Sequence, residues 1–129
     1  MKIVVGGQID KENVKKILNA EFPDASVDVK SDIDAAMGLK SGNYDYYFGA
    51  CNTGGGGALA MAIAIVGANK CLTVASPGKV LTEEEVKKGI EDGKIAFGFT
   101  PNATEKSIKM IKKFIGGKLW CQELLWWLY

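Results

Sequence analysis

Cys51, Asn52 and Thr53 run directly into Gly54, Gly55, Gly56 and Gly57, and in this septet a nucleophile, a hydroxyl and bare backbone stand together. A thiol beside a helix N-terminus has its thiolate stabilised, so Cys51 is the candidate nucleophile; the other reading is a small buried residue chosen for packing. Amides unshielded by side chains can cradle a phosphate or carboxylate, with Asn52 as N-cap and Thr53 as hydroxyl donor. Glycine inside a helix costs about 1 kcal/mol relative to alanine, so four in a row need a backbone reason. One reason is the anion cradle. The other is a positive-φ turn that lets helix and sheet approach closely. The run matches neither the GxxxxGK[ST] nor the GxGxxG pattern and identifies no particular nucleotide.

Missing residue types narrow the chemistry. The chain has no histidine, which excludes imidazole bases, phosphohistidine and His-ligated metals. All sixteen basic residues are lysines, so no guanidinium fork can grip an anion. Backbone amides, hydroxyls and lysines must do that work. A net charge of +1 and the lack of a basic, aromatic-interleaved stripe argue against nucleic acid and anionic membranes as partners. No metal or cofactor is expected. Asp10, Asp32 and Asp34 read first as helix caps, and Lys79 as a loop lysine within reach of an anion. Cys71 and Cys121 read as packing residues. An odd cysteine count without CxxC spacing, and no signal-peptide pattern, predict a reducing cytoplasm. The longest mainly apolar run, Ala58 to Ala68, is about half the ~20 residues of a membrane-spanning helix.

The elements that must position this septet alternate regularly. "KIVV", "ASVDV", "YDYYFG", "KCLTVA" and "KIAFGF" read as strands. Between and after them lie helical patterns over "DKENVKKILNAEF", Asp32 to Lys40, Ala58 to Val66, "LTEEEVKKGIEDG" and "NATEKSIKMIKKFI". Ser31 with Asp34 and Thr82 with Glu85 have capping-box spacing, and Gly67 is a C-terminal stop. Five βα units predict an α/β fold: a doubly wound parallel five-stranded sheet with helices on both faces, in the flavodoxin-like order 2-1-3-4-5. Residues 1–115 form the single domain and 116–129 an apolar C-terminal extension.

Such sheets bind ligands beyond the carboxyl ends of the strands, where the strand order reverses. In that order the crevice lies between strands one and three. Gly6, Gly7 and Gln8 would then complete a pocket with Asn52, Thr53 and the four glycines. Helix 58–67 has no polar side chain, and the extension, with all three tryptophans, reads as a nearly apolar extra helix. The helix predicts a homo-oligomer, and the extension either packs on its own domain or forms a contact too, so that the copies join through helix 58–67, through tail 118–129, or through both.

"IVVGGQID", "KSDIDAAM" and above all "YYFGACNTGGGGALAMAIAIVG" resemble an uncharacterised, YhfU-like family of small bacterial proteins, over about residues 1 to 115. The resemblance implies a cytoplasmic metabolic role, accessory to transport or catabolism, and supplies no catalytic residues. A weaker similarity is to the cysteine-phosphorylated IIB components of sugar phosphotransferase systems, whose cysteine follows the first strand rather than the third. Three readings remain open from the residues: a binder of a small anionic or phosphorylated metabolite, a Cys51-dependent enzyme or phosphocarrier, and an oligomeric scaffold.

Overall fold

A computed structural model describes the chain through residue 127, with side chains described through Ile115. Strand β1 (Lys2–Gly7) is followed by α1 (Lys11–Glu21), β2 (Ser26–Val29), α2 (Asp32–Lys40) and β3 (Tyr46–Ala50). Then come α3 (Ala60–Val66), β4 (Cys71–Thr73), a two-residue hairpin of β5 (Ala75–Ser76) and β6 (Lys79–Val80), α4 (Glu83–Glu91), β7 (Ala96–Phe99) and α5 (Thr104–Trp127). All main-sheet pairings are parallel.

The period of two along each strand sorts the core into two layers. Ile3, Val5, Phe48, Phe97 and Phe99 point to one face and pack with Val14 and Leu18 of α1, Val86 and Ile90 of α4, and Ile108 and Ile111 of α5. Val4, Tyr47 and Ala96 point to the other and meet Ala35, Ala36 and Leu39 of α2 and Ala62 of α3. The second layer is built from small residues, so those helices lie close to the sheet. The α/β class, the doubly wound sheet and the helices on both faces are as expected.

The strand order is not. It is β2-β1-β3-β7-β4, so the last strand of the chain lies between the third and fourth rather than at the edge. Burial explains the exchange. Ala96–Phe99 carries no polar side chain and is buried throughout, which suits a strand covered on both faces. Cys71–Thr73 is three residues long and ends exposed, the kind of short strand found at an edge. The expected strand "KCLTVA" is accordingly divided: it leaves the sheet at Val74, and Ala75–Ser76 turns into the hairpin.

Three local expectations also change. Helix α3 starts at Ala60, with Leu59 as N-cap and no side-chain cap, so Asn52 caps nothing there. Thr82 and Glu85 do form a reciprocal capping box, and Ser31 accepts from the Asp34 amide at 3.1 Å. The separate extra C-terminal helix is replaced by one continuous α5 to Trp127. The side chains of tail 118–129, and with them the tail interface expected there, lie outside the described residues. No helix among the described residues is long and apolar enough to cross a membrane.

Candidate functional site

The strand exchange changes what surrounds the septet. Helices α1 and α5 cover one face, whereas α3, which follows β3, covers the other. The connections therefore diverge on both sides of β3, at its seams with β1 and with β7. On the β1 side, the amides of Gln8 and Ile9 both donate to Ala50 O, at 3.2 and 3.4 Å. On the β7 side, the Cys51 amide donates to Phe99 O at 3.2 Å.

Between these anchors residues 51–59 form a chain of turns. The Gly54 amide donates to Cys51 O at 3.1 Å, and the Leu59 amide to Gly55 O at 3.2 Å. Gly54 has φ +82°, and a Cβ there would overlap the Ala75 carbonyl of the hairpin. Only glycine allows the loop to lie so low over the sheet edge. Gly57 lies against the end of the Gln8 side chain. Of the expected partners, exposed Gln8 meets the polyglycine loop directly, whereas Gly6 and Gly7, both buried, lie against Tyr47, Gly49 and Ala50. Asn52, Thr53 and Gly56 form the exposed rim, Gly55 and Gly57 are half-buried, and Gly54 is buried.

The amides do not all open outwards: those of Gly54, Gly56 and Leu59 are spent within the loop, on Cys51 O, Thr53 Oγ1 and Gly55 O. Cys51 is 3% exposed, and its Sγ lies 3.2 Å from Thr53 Oγ1. Burial pushes the Cys51 thiol up. Hydrogen bonds from the Thr53 hydroxyl and from the amides of Ala58, Thr53 and Gly57 outweigh it, and the thiol ends below its ordinary value. Cys71, equally free, goes the other way: burial raises it, and Lys94 offsets this only in part. One thiol is held for ionisation and the other against it.

Tyr47 is the residue that sequence reasoning passed over. It is fully buried in β3, beside Gly6, where a Cβ would strike its ring. Its hydroxyl accepts from the Gly7 amide at 2.9 Å and donates to Ala58 O at 2.6 Å, tying the two glycine loops together. Burial strongly disfavours its ionisation. The available signal was a tyrosine at the centre of an aromatic strand, since a buried phenol needs a partner for its hydroxyl.

The other candidates stand apart. Asp10 adopts φ 58°, the single positive-φ non-glycine among the described residues, and accepts from Asn13 Nδ2 at 3.0 Å at the start of α1. Asp32 and Asp34 lie in the first turn of α2, and Lys79 is exposed in the hairpin. Among the described residues no three His, Cys, Asp or Glu side chains gather to hold a metal. An open groove of about 780 Å³ beside α5 is lined by Thr82, Asn102, Lys106, Lys109 and Lys113, among others. Two of its lysines are already paired, Lys113 with Glu83 at 2.6 Å and Lys109 with Glu105 at 3.0 Å, which weakens it as an anion site.

Residues 1–115, which carry every feature of this site, match the family described as "Protein of unknown function DUF2620". The chain belongs to that family. Within the DUF2620 family it is 45% identical over 111 residues to "Uncharacterized protein YhfU" of Escherichia coli strain K12, covering 85% of this chain and 94% of that protein. The same figures hold for "Uncharacterized protein YhfU" of Shigella flexneri. No solved structure matches the chain. The YhfU-like resemblance is thereby borne out.

Proposed function

We propose that this DUF2620 protein uses Cys51 as a thiolate nucleophile on a small anionic metabolite, with the Thr53–Ala58 loop stabilising charge on sulfur or on the group it receives. One observation carries the reading: the Thr53 hydroxyl lies 3.2 Å from the buried Cys51 sulfur, and the surrounding loop holds that thiol below its ordinary value despite its burial. A thiol held below its ordinary value depends less on a general base, which suits a chain without histidine. In a phosphoryl or acyl transfer the sulfur lone pair forms the new S–P or S–C bond. The bond to the leaving oxygen breaks, and its electron pair departs with that oxygen. Donors aimed at developing negative charge are worth about 3–4 kcal/mol each in other enzymes. Because Cys51 is so little exposed, access runs through the rim of Asn52, Thr53 and Gly56, and a compact substrate fits that route better than a bulky one. The cytoplasm supplies the reducing conditions such a thiol requires.

A binding module that holds the anion without covalent chemistry is the simpler reading, but loop amides already paired within the loop and the lowered Cys51 thiol favour it less. The test is incubation with a small-molecule phosphoryl donor, acetyl phosphate, followed by intact-mass analysis. The protein is expected to gain a phosphoryl group that Cys51→Ser does not. Equal labelling of both proteins, or none of either, overturns the reading.

The α2–α3 face carries the oligomer proposal. Ile33 and Met37 of α2 and Ile63 of α3 are each between 42% and 53% exposed, so the apolar helix is not fully covered by its own domain. A second copy of the chain is the occupant we propose for it.

A further inference from the structure

We propose that Tyr47 is a positioning residue for Cys51, acting through five consecutive hydrogen bonds that run from the Gly7 amide across the polyglycine loop to the sulfur. The inference rests on the reading of Cys51 as a thiolate. The Gly7 amide donates to Tyr47 Oη, and Tyr47 Oη donates to Ala58 O. The Ala58 carbonyl shares its peptide group with the Leu59 amide, which donates to Gly55 O at 3.2 Å. The Gly55 carbonyl shares its peptide with the Gly56 amide, which donates to Thr53 Oγ1 at 3.1 Å. Thr53 Oγ1 lies 3.2 Å from Cys51 Sγ.

Each hydroxyl in this chain has one proton, and that settles the direction. Tyr47 already accepts from Gly7, and Ala58 O can only accept, so the phenol proton points towards the loop. Thr53 already accepts from Gly56, and a thiolate can only accept, so the threonine proton points at sulfur. Every donor therefore faces the same way, and two of the links pass through peptide groups whose dipoles they polarise. Such chains strengthen one another, and in a site of low dielectric the effect exceeds that of the same bonds in water. Tyr47 is rigid because its ring fills the space left by Gly6. It transmits the position of the first loop to the reactive atom without touching it.

The experiment follows the Cys51 thiolate by its ultraviolet absorbance against pH, with the matching Cys51→Ser protein subtracted in every background. Tyr47→Phe keeps the ring and removes the hydroxyl, and its Cys51 midpoint is expected to shift upward. Thr53→Val is expected to shift it upward too, while Thr53→Ser restores it. The double variant Tyr47→Phe/Thr53→Val is expected to shift less than the sum of the two, because one chain is cut twice. An unchanged midpoint in Tyr47→Phe, or full additivity in the double variant, overturns the proposal. Should Tyr47→Phe not fold, the Tyr47 ring carbon bearing the hydroxyl is followed by NMR in the otherwise intact protein. Its signal is expected to titrate with Cys51 and to lose that response in Thr53→Val; a response that survives Thr53→Val overturns the proposal. These midpoints read the inference alone, whereas acetyl phosphate labelling reads the function beneath it, so either can fail without the other.

Discussion

Gly54→Ala tests whether the loop is held down by a backbone requirement, and Gly42 supplies the control. Both glycines have nearly the same positive φ, +82° and +84°. A Cβ at Gly42 meets nothing within 4 Å, whereas at Gly54 it would overlap the Ala75 carbonyl. Gly42→Ala therefore carries only the left-handed backbone penalty, about 1–2 kcal/mol. Gly54→Ala carries the same penalty plus overpacking against backbone that cannot rotate away, another ~1–3 kcal/mol. The total is about 2–5 kcal/mol, a large share of the ~5–15 kcal/mol that holds a domain of this size. Gly57→Ala completes the series. Its added methyl meets the end of the flexible, exposed Gln8 side chain, which can swing into solvent, so the cost should stay within about 0.5 kcal/mol. Urea unfolding of the three variants, with slopes compared, reads the differences. Gly54→Ala no more destabilising than Gly42→Ala would refute the close approach over Ala75. A cost at Gly57 equal to that at Gly54 would refute the ranking.

Stability against pH offers a second test, and its sign follows from Cys51. A thiol lowered by folding adds stability that is fully present above its ordinary value of 9.0 and is lost as pH falls through the folded value. Relative to Cys51→Ser, the wild type should therefore gain stability as pH rises towards 9; a flat difference would contradict the amide cradle. Tyr47, raised by folding, acts oppositely above pH 10, where both proteins should lose stability. For the exposed α2–α3 face, Ile63→Lys should lower the mass measured by sedimentation at high protein concentration. An unchanged mass would remove that face as the contact.

The alternation of strand and helix was legible because each element carries its own period. Val14 and Leu18 mark one side of α1, and the reciprocal Thr82–Glu85 cap could be read three residues apart. Gly67, with φ 98°, ends α3 where its residue type suggested. The carboxyl-edge loops were legible in part: Gln8 lies against Gly57, whereas Gly7 reaches that loop only through the Tyr47 hydroxyl. Strand neighbours were not, because nothing local in "AFGF" names the strands beside it. Only the lack of any polar residue there, set against the exposed end of "CLT", distinguished a central strand from an edge. The septet's residue types announced bare amides but not their aim. Whether an amide faces solvent or is spent within the loop depends on the turn that Gly54 makes over Ala75, a contact between segments about twenty residues apart. Tyr47 was hidden for the same reason, since its partners Gly7 and Ala58 lie on two different loops.

The place of β7 also orders events at the ribosome. A nascent chain that has released everything up to α4 holds β2, β1 and β3 in contact but has no neighbour for β4, whose partner in the sheet is still to come. Cys51 is then without the Phe99 carbonyl that fixes its amide. Synthesis must pass residue 99 before the fourth lane of hydrogen bonds can close, and only then does the thiol gain its full setting.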